Sequence, residues 1–496
     1  MNFPYLTTIV FLPLAGAIII ALAGHNRGKL IKYLAAIFTI VPFVLALVLF
    51  SIFNRAAGAQ VFQFQEQVSW IPAISANYHL GVDGLSLPLV VLTTFLGIVV
   101  VLLSWKEQLR IREYFVWLLL LETSILGVFS SLDLLLFFVF WEIEIIPMYF
   151  LISVWGSGRK EYSAIKYVVY TLFGSALMLA GILSLYFTTG SLSMVDMAEK
   201  GLAMVQSIMP ATAMFFLILV GFAVKLPVVP LHTWLPDAHT DAPTAGSVML
   251  AGALIKMGGY GIIRICVSIF PEVAKAYAPL LVIMAVVSIL YGAALTLRQN
   301  DIKRLIAYSS VSHMGYVLLG IFALNEVSLT GAALQMVSHG LLTGLLFAMA
   351  GLTMHNVHER DLRKLGGLAR QMPIITVVFS IAGLGSLGLP LTSGFAAEFI
   401  TFAGSFSSNA FAGMQAATIL AILGVVLSAG YILWMLQRAF YGPVLEQYDG
   451  VKDADIRERV YMFAFVTLIM LVGIYPAILT NIIKLGIAPI TGFLGG

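Results

Sequence analysis

The chain has 496 residues, 60% hydrophobic and 10% charged, with a net charge of +3 and a mean hydropathy of +0.99. Ordinary soluble domains carry about 25% charged residues, so this composition excludes a soluble globular protein and indicates a polytopic membrane protein. The single cysteine, Cys266, excludes a disulfide framework or a cysteine-ligated iron–sulfur cluster within the chain.

A helix crosses the ~30 Å hydrocarbon core with about 20 residues. That ruler predicts an all-α protein of about fourteen spans, at 4–23, 34–53, 85–104, 114–131, 133–155, 163–188, 212–231, 243–264, 277–297, 305–324, 329–354, 373–404, 415–437 and 460–482. The first has no basic region ahead of it and a long apolar run, so it reads as a retained span rather than a signal peptide. Residues 54–84 are polar to amphipathic and read as a folded loop outside the membrane, whereas 355–371 and 438–459 are densely charged. No low-complexity segment divides the chain. It reads as one membrane domain, 1–496, comprising 1–112 (spans 1–3 and the outer loop), a first repeat at 113–266, a second at 277–439, and a charged loop with the final span at 440–496.

Loops after odd-numbered spans hold nineteen Lys and Arg residues and the opposite loops five. By the positive-inside rule this bias supports the span count and places both termini on the non-cytoplasmic side.

A charge at mid-bilayer costs about 2.5–3.5 kcal/mol on insertion scales, so each one needs a reason. Span 5 carries Glu142 and Glu144, span 6 Lys166, span 7 Lys225, span 8 Lys256, span 10 His313, span 11 His339 and span 12 Glu398. Interhelical ion pairs or snorkelling explain Lys166 and Arg264, which lie near span ends. They explain Lys225, Lys256 and Glu398 poorly, because apolar sequence borders each of these. A series of Glu, Lys and His through successive spans is what a proton relay requires. At i,i+2 on a helix, Glu142 and Glu144 point about 200° apart, so they cannot both face one partner. His232, at the end of span 7, serves either proton entry or helix-end packing.

Two spans are interrupted. Lys225 is followed by LPVVP, and Glu398 is preceded by GLGSLGLPLTSGF. The GLGSLG run fits GxGxxG but lies within an apolar span, so it is not read as a nucleotide site. Proline and glycine break the helix, and the freed backbone groups must be satisfied by protein or by cavity water. Spans 4–8 and 9–13 form two five-span units with the interrupted member fourth in each. Because the span number is odd, the two repeats are inverted relative to each other.

The segments DLLLFFVFWEIEIIPMYFLISVWG, KLPVVPLHTWLPDAHTDAPTAGSVMLAGALIKMGGYGIIR, IKRLIAYSSVSHMGYVLLG and LQMVSHGLLTGLLFAMAG resemble the antiporter-like proton-channel subunits of respiratory complex I, of the M or chain 4 type. The resemblance implies a proton relay of Glu142, Lys225, Lys256, His313, His339 and Glu398. Glu142 would be the partner of Lys225, with Glu144, His232 and Lys166 as accessory groups. It implies coupling to quinone reduction elsewhere in a NAD(P)H- or ferredoxin-driven oxidoreductase. Quinone, flavin and iron–sulfur centres would sit on other subunits, with no metal or cofactor in this chain. The implied partners are L-type and N-type membrane subunits and the lipid bilayer of an inner, plasma or thylakoid membrane, with no nucleic acid. A subunit of a Mrp-type sodium–proton antiporter or a membrane-bound hydrogenase is the alternative, since both share these blocks.

Overall fold

The computed structural model describes residues 3–24, 27–56, 58–200, 209–492 and 494. The chain opens with an apolar hairpin of helices α1 (Tyr5–Leu22) and α2 (Gly28–Ile52). The outer loop folds into an antiparallel pair, β1 (Gln63–Ile71) and β2 (Ala76–Val82), which is the strand content beyond the expected all-α architecture. Then come α3 (Ser86–Leu103), α4 (Ile111–Ser130), α5 (Leu134–Ile143), α6 (Ile145–Trp155), α7 (Lys160–Thr189) and the short α8 (Met194–Lys200). The centre comprises α9 (Ala211–Lys225), α10 (Trp234–Asp241), α11 (Thr244–Met249), α12 (Ile255–Gly261), α13 (Pro271–Leu297), α14 (Ile302–Phe322) and α15 (Glu326–Val357). The chain ends with α16 (Leu368–Gln371), α17 (Pro373–Ser386), α18 (Ser393–Phe406), α19 (Met414–Ala439), α20 (Ile456–Ile474) and α21 (Ala477–Gly492).

Among the described residues, eleven helical stretches are long and apolar enough to cross a bilayer, or twelve if the bent pair α20–α21 forms one span. The expected span 460–482 differs from this. Its helix stops at Ile474 and turns by 70° into α21, because Pro476 disfavours helical backbone at Tyr475.

Burial sorts the helices. The most apolar eighteen residues of α15 are all buried, as are those of the 244–267 stretch, whereas in α2, α7 and α19 fewer than half are. Lys256 and His339 lie on the enclosed helices, and the exposed ones present leucine, isoleucine and valine to lipid, as expected where apolar surface meets hydrocarbon.

The two interruptions fall where the sequence places them. α9 stops at Lys225, and the chain runs without regular helix to Trp234. Protein groups satisfy the freed backbone: Trp234 Nε1 donates to the Val224 carbonyl at 2.8 Å, and the Val229 amide donates to Ser288 Oγ at 3.1 Å. α17 stops at Ser386, and α18 resumes at Ser393. Between them Gly388 has φ +82° and Leu391 φ +74°. A β-carbon at Gly388 would stand 2.9 Å from Glu398 Oε2, so the absent side chain makes room for the carboxylate.

Candidate functional site

α5 and α6 are joined at Glu144, whose side chain is shut from solvent. Its Oε1 forms an ion pair with Lys225 Nζ at the end of α9. The Tyr167 hydroxyl donates to the other carboxylate oxygen at 2.5 Å. The Lys225 ammonium also lies over the rings of Trp141 at 5.5 Å and Tyr167 at 5.2 Å, a cation–π setting that partly replaces lost hydration.

This corrects the expected pairing of Lys225 with Glu142. The 200° separation of the two glutamates sends one to the lysine and the other outward, and the turn at Glu144 selects Glu144 for the interior. Glu142 is within electrostatic reach of Lys225 and beside Ser175. It lines an open, otherwise apolar cleft of about 500 Å³ between α5–α6 and α7, with Ile146, Tyr149, Val168 and Leu172.

Lys256 lies in α12, which is flanked by wide π-helical turns at Leu250–Leu254 and Ile262–Val267. Such turns leave carbonyls off the regular ladder. Ala251, in the first, accepts a hydrogen bond from Lys256 Nζ. Gly258 brings α12 backbone to backbone against the α9 break: a β-carbon there would stand 2.6 Å from the Leu226 nitrogen.

From Lys256 a polar line continues. Lys256 Nζ is 2.7 Å from His339 Nδ1. The His339 and His313 rings are 5.7 Å apart between centroids. His313 Nδ1 is 3.3 Å from Glu398 Oε1, and its Nε2 meets Ser386 Oγ at 3.2 Å and the Tyr431 hydroxyl at 3.4 Å. Four of the expected relay residues, Lys256, His339, His313 and Glu398, thus lie side by side, all buried. Glu398 borders a second open cleft of about 600 Å³ with Phe395, Phe399 and Phe402. No direct hydrogen bond among the described residues joins Lys225 to Lys256.

The accessory residues separate. Lys166 makes an ion pair with Asp237 at 2.7 Å, and Arg304 reaches the same carboxylate at 3.2 Å. Arg264 pairs with Asp83, which its fully enclosed position requires. His232 is buried beside Tyr291, with its Nδ1 unpartnered.

His239 is not among the residues that hydropathy singles out. It is fully buried on α10, stacked on Phe347 at 4.7 Å, and neither ring nitrogen has a hydrogen-bond partner. Lys303, Lys256 and His339 are within its electrostatic reach. The signal was its place between the helix break and Lys256, in PLHTWLPDAHTDAP. Hydropathy cannot show that this polar stretch is enclosed. Among the described residues, no group of three or more His, Cys, Asp or Glu side chains is placed to hold a metal.

This arrangement has relatives. The family described as NADH:quinone oxidoreductase/Mrp antiporter, TM matches residues 131–424, from the start of α5 into α19. The chain is 38% identical to NADH-quinone oxidoreductase subunit M of Rhodobacter capsulatus, covering 97% of this chain and 95% of that one. It is 40% identical to NAD(P)H-quinone oxidoreductase chain 4 1 of Synechococcus elongatus, covering 97% and 90%. A chain of respiratory complex I from Thermus thermophilus superposes with a TM-score of 0.88 at 27% identity, covering 99% and 100%. With the family matched over more than half its length and such relatives aligned nearly end to end, the chain belongs to the NADH:quinone oxidoreductase/Mrp antiporter membrane family.

Proposed function

We propose that the chain is the proton-translocating, antiporter-like subunit M (chain 4) of a complex I-type quinone oxidoreductase, and that it moves protons along Lys225, Lys256, His339, His313 and Glu398. The observation that carries this reading is the enclosed line from Lys256 to Glu398, in which each titratable group adjoins the next. The relatives' quinone-oxidoreductase names favour this over the Mrp antiporter reading. The chain then acts as a subunit of an oxidoreductase whose quinone, flavin and iron–sulfur chemistry belongs to other subunits.

Quinone reduction elsewhere would be felt at the Glu144–Lys225 pair. Opening that pair releases a proton from Lys225 toward Lys256. This step lacks a direct protein bond, so we assign it to water held at the α9 break. The relay then passes through the two imidazoles, and Glu398 exchanges the proton with the far side. His239 and His232 supply protons from the α10 side. Glu142 and Glu398, each in an open cleft, face neighbouring membrane subunits, which we identify by analogy as the L and N types.

In this reading α9–α10 and α17–α18 are each one broken span. Added to the twelve crossing elements, they make fourteen spans in two inverted five-helix repeats, with both termini on the non-cytoplasmic side. The divisions 1–112, 113–266, 277–439 and 440–496 follow from it. The test is Lys225→Ala in the intact complex, with quinone reduction and proton pumping measured in liposomes. Pumping should fall while the subunit stays assembled. Wild-type rates for both would refute the assignment.

A further inference from the structure

An apolar pocket of about 210 Å³ lies away from the polar line. It is walled by α2, α3, α15 and the bent pair α20–α21, and each of its fourteen lining residues is apolar. Its mouth is bordered by Leu47 of α2 and Leu471 of α20, each 43% exposed on the surface that meets lipid. Phe50, another wall residue, is covered by the Arg55 guanidinium at 5.4 Å from its ring centroid. Arg55 follows the end of α2 and donates to the Phe50 carbonyl at 3.2 Å. It makes no ion pair among the described residues.

We propose that this pocket holds one acyl chain of an anionic phospholipid, whose phosphate rests on Arg55. Protein interiors pack as densely as organic crystals, and a void of this size is out of keeping with that. An apolar cavity of about 150 Å³ admits benzene, and this larger pocket, with its apolar lining, has room for a run of methylenes. Because the mouth opens to lipid, a chain enters without leaving hydrocarbon. The pocket therefore gives packing rather than selectivity, and the headgroup must select. A guanidinium with free donors and no carboxylate partner, at the level where α2 leaves the membrane, recognises a phosphate by charge-assisted hydrogen bonds. The pocket also touches Val337 and Leu341, which bracket His339 on α15, so the lipid would support the back of the helix that carries a relay residue. The proposal rests on the pocket and on Arg55, and it does not depend on the proton path.

The test uses the intact complex reconstituted with phosphatidylglycerol bearing a mid-chain diazirine, and in parallel with the matching phosphatidylcholine. After irradiation, adducts are mapped by peptide mass spectrometry. Phosphatidylglycerol is expected to label the pocket segments 88–95 and 468–472. Labelling is expected to fall by about fivefold with phosphatidylcholine or in Arg55→Gln, the factor that one basic residue near an anionic headgroup supplies. Val91→Phe, which fills the pocket, is expected to abolish these adducts but spare those on exposed Val426 and Phe463. Either of two results would overturn the proposal: label confined to exposed residues, or equal label from the two lipids.

Discussion

Replacing Glu144 by Gln removes the carboxylate that pairs with Lys225 yet keeps an oxygen for the Tyr167 hydroxyl. Both partners are almost wholly enclosed, Lys225 at 1% and Glu144 at 0% exposure. The values of about 0–1 kcal/mol typical of surface pairs therefore do not apply. Breaking a buried pair from one side costs about 3–5 kcal/mol, because it strands the other charge. Glu144→Gln and Lys225→Met should each lose that much, whereas the double variant strands nothing. Its loss should be about 2–3 kcal/mol smaller than the sum of the two single losses, within the range of contacting pairs. Glu142→Gln leaves the pair intact, so its coupling to Lys225→Met should stay below about 1 kcal/mol. Pulse proteolysis of the purified complex, read with an antibody to this subunit, measures all five variants. A Glu142–Lys225 coupling as large as the Glu144–Lys225 coupling would refute the pairing.

Three further outcomes are expected. Gly388→Ala forces a β-carbon into a φ of +82°, 2.9 Å from Glu398 Oε2. It should cost at least about 1 kcal/mol and lower pumping by moving Glu398 off His313; unchanged pumping and stability would contradict this. Arg264→Leu leaves Asp83 buried and unpaired and should cost about 3–5 kcal/mol, while adding Asp83→Asn should recover much of the loss in the same proteolysis assay. In the β1–β2 hairpin, burial holds the His79 imidazole below its ordinary range, although it bonds Gln65 at 2.9 Å. The unfolded chain then binds the proton more readily. His79's contribution to hairpin stability should be complete above pH ~6.5 and decline as the pH falls below it. Hydrogen exchange of residues 63–82 between pH 8 and 5, corrected for intrinsic rates, checks this. The decline should vanish in His79→Gln, and protection that rises on acidification would contradict it.

The parts of this molecule legible from sequence are those written in one dimension. Lys225 and Lys256 stand out because an ammonium in an apolar run is costly wherever the helix sits. The breaks after Lys225 and before Glu398 stand out because proline and glycine act on local backbone. The rotational phase of one helix against another is not written locally. Hence the spacing of Glu142 and Glu144 sets them about 200° apart but does not specify which of them faces α9. His239 escaped notice for a related reason: α10 is polar in sequence and buried in space, and hydropathy reads only the first. The bend at Pro476 escaped because the apolar run continues across it. The strand pairing of 63–82 is hard to read because Glu66 interrupts the alternation of Phe64, Val68 and Trp70 in QFQEQVSW.

In the proposed path protons pass through His313, which stands between His339 and Glu398. The direct measurement is the ratio of protons moved to quinone reduced by the His313→Leu complex in liposomes, with assembly verified. The ratio should fall with the subunit in place. A wild-type ratio would contradict it.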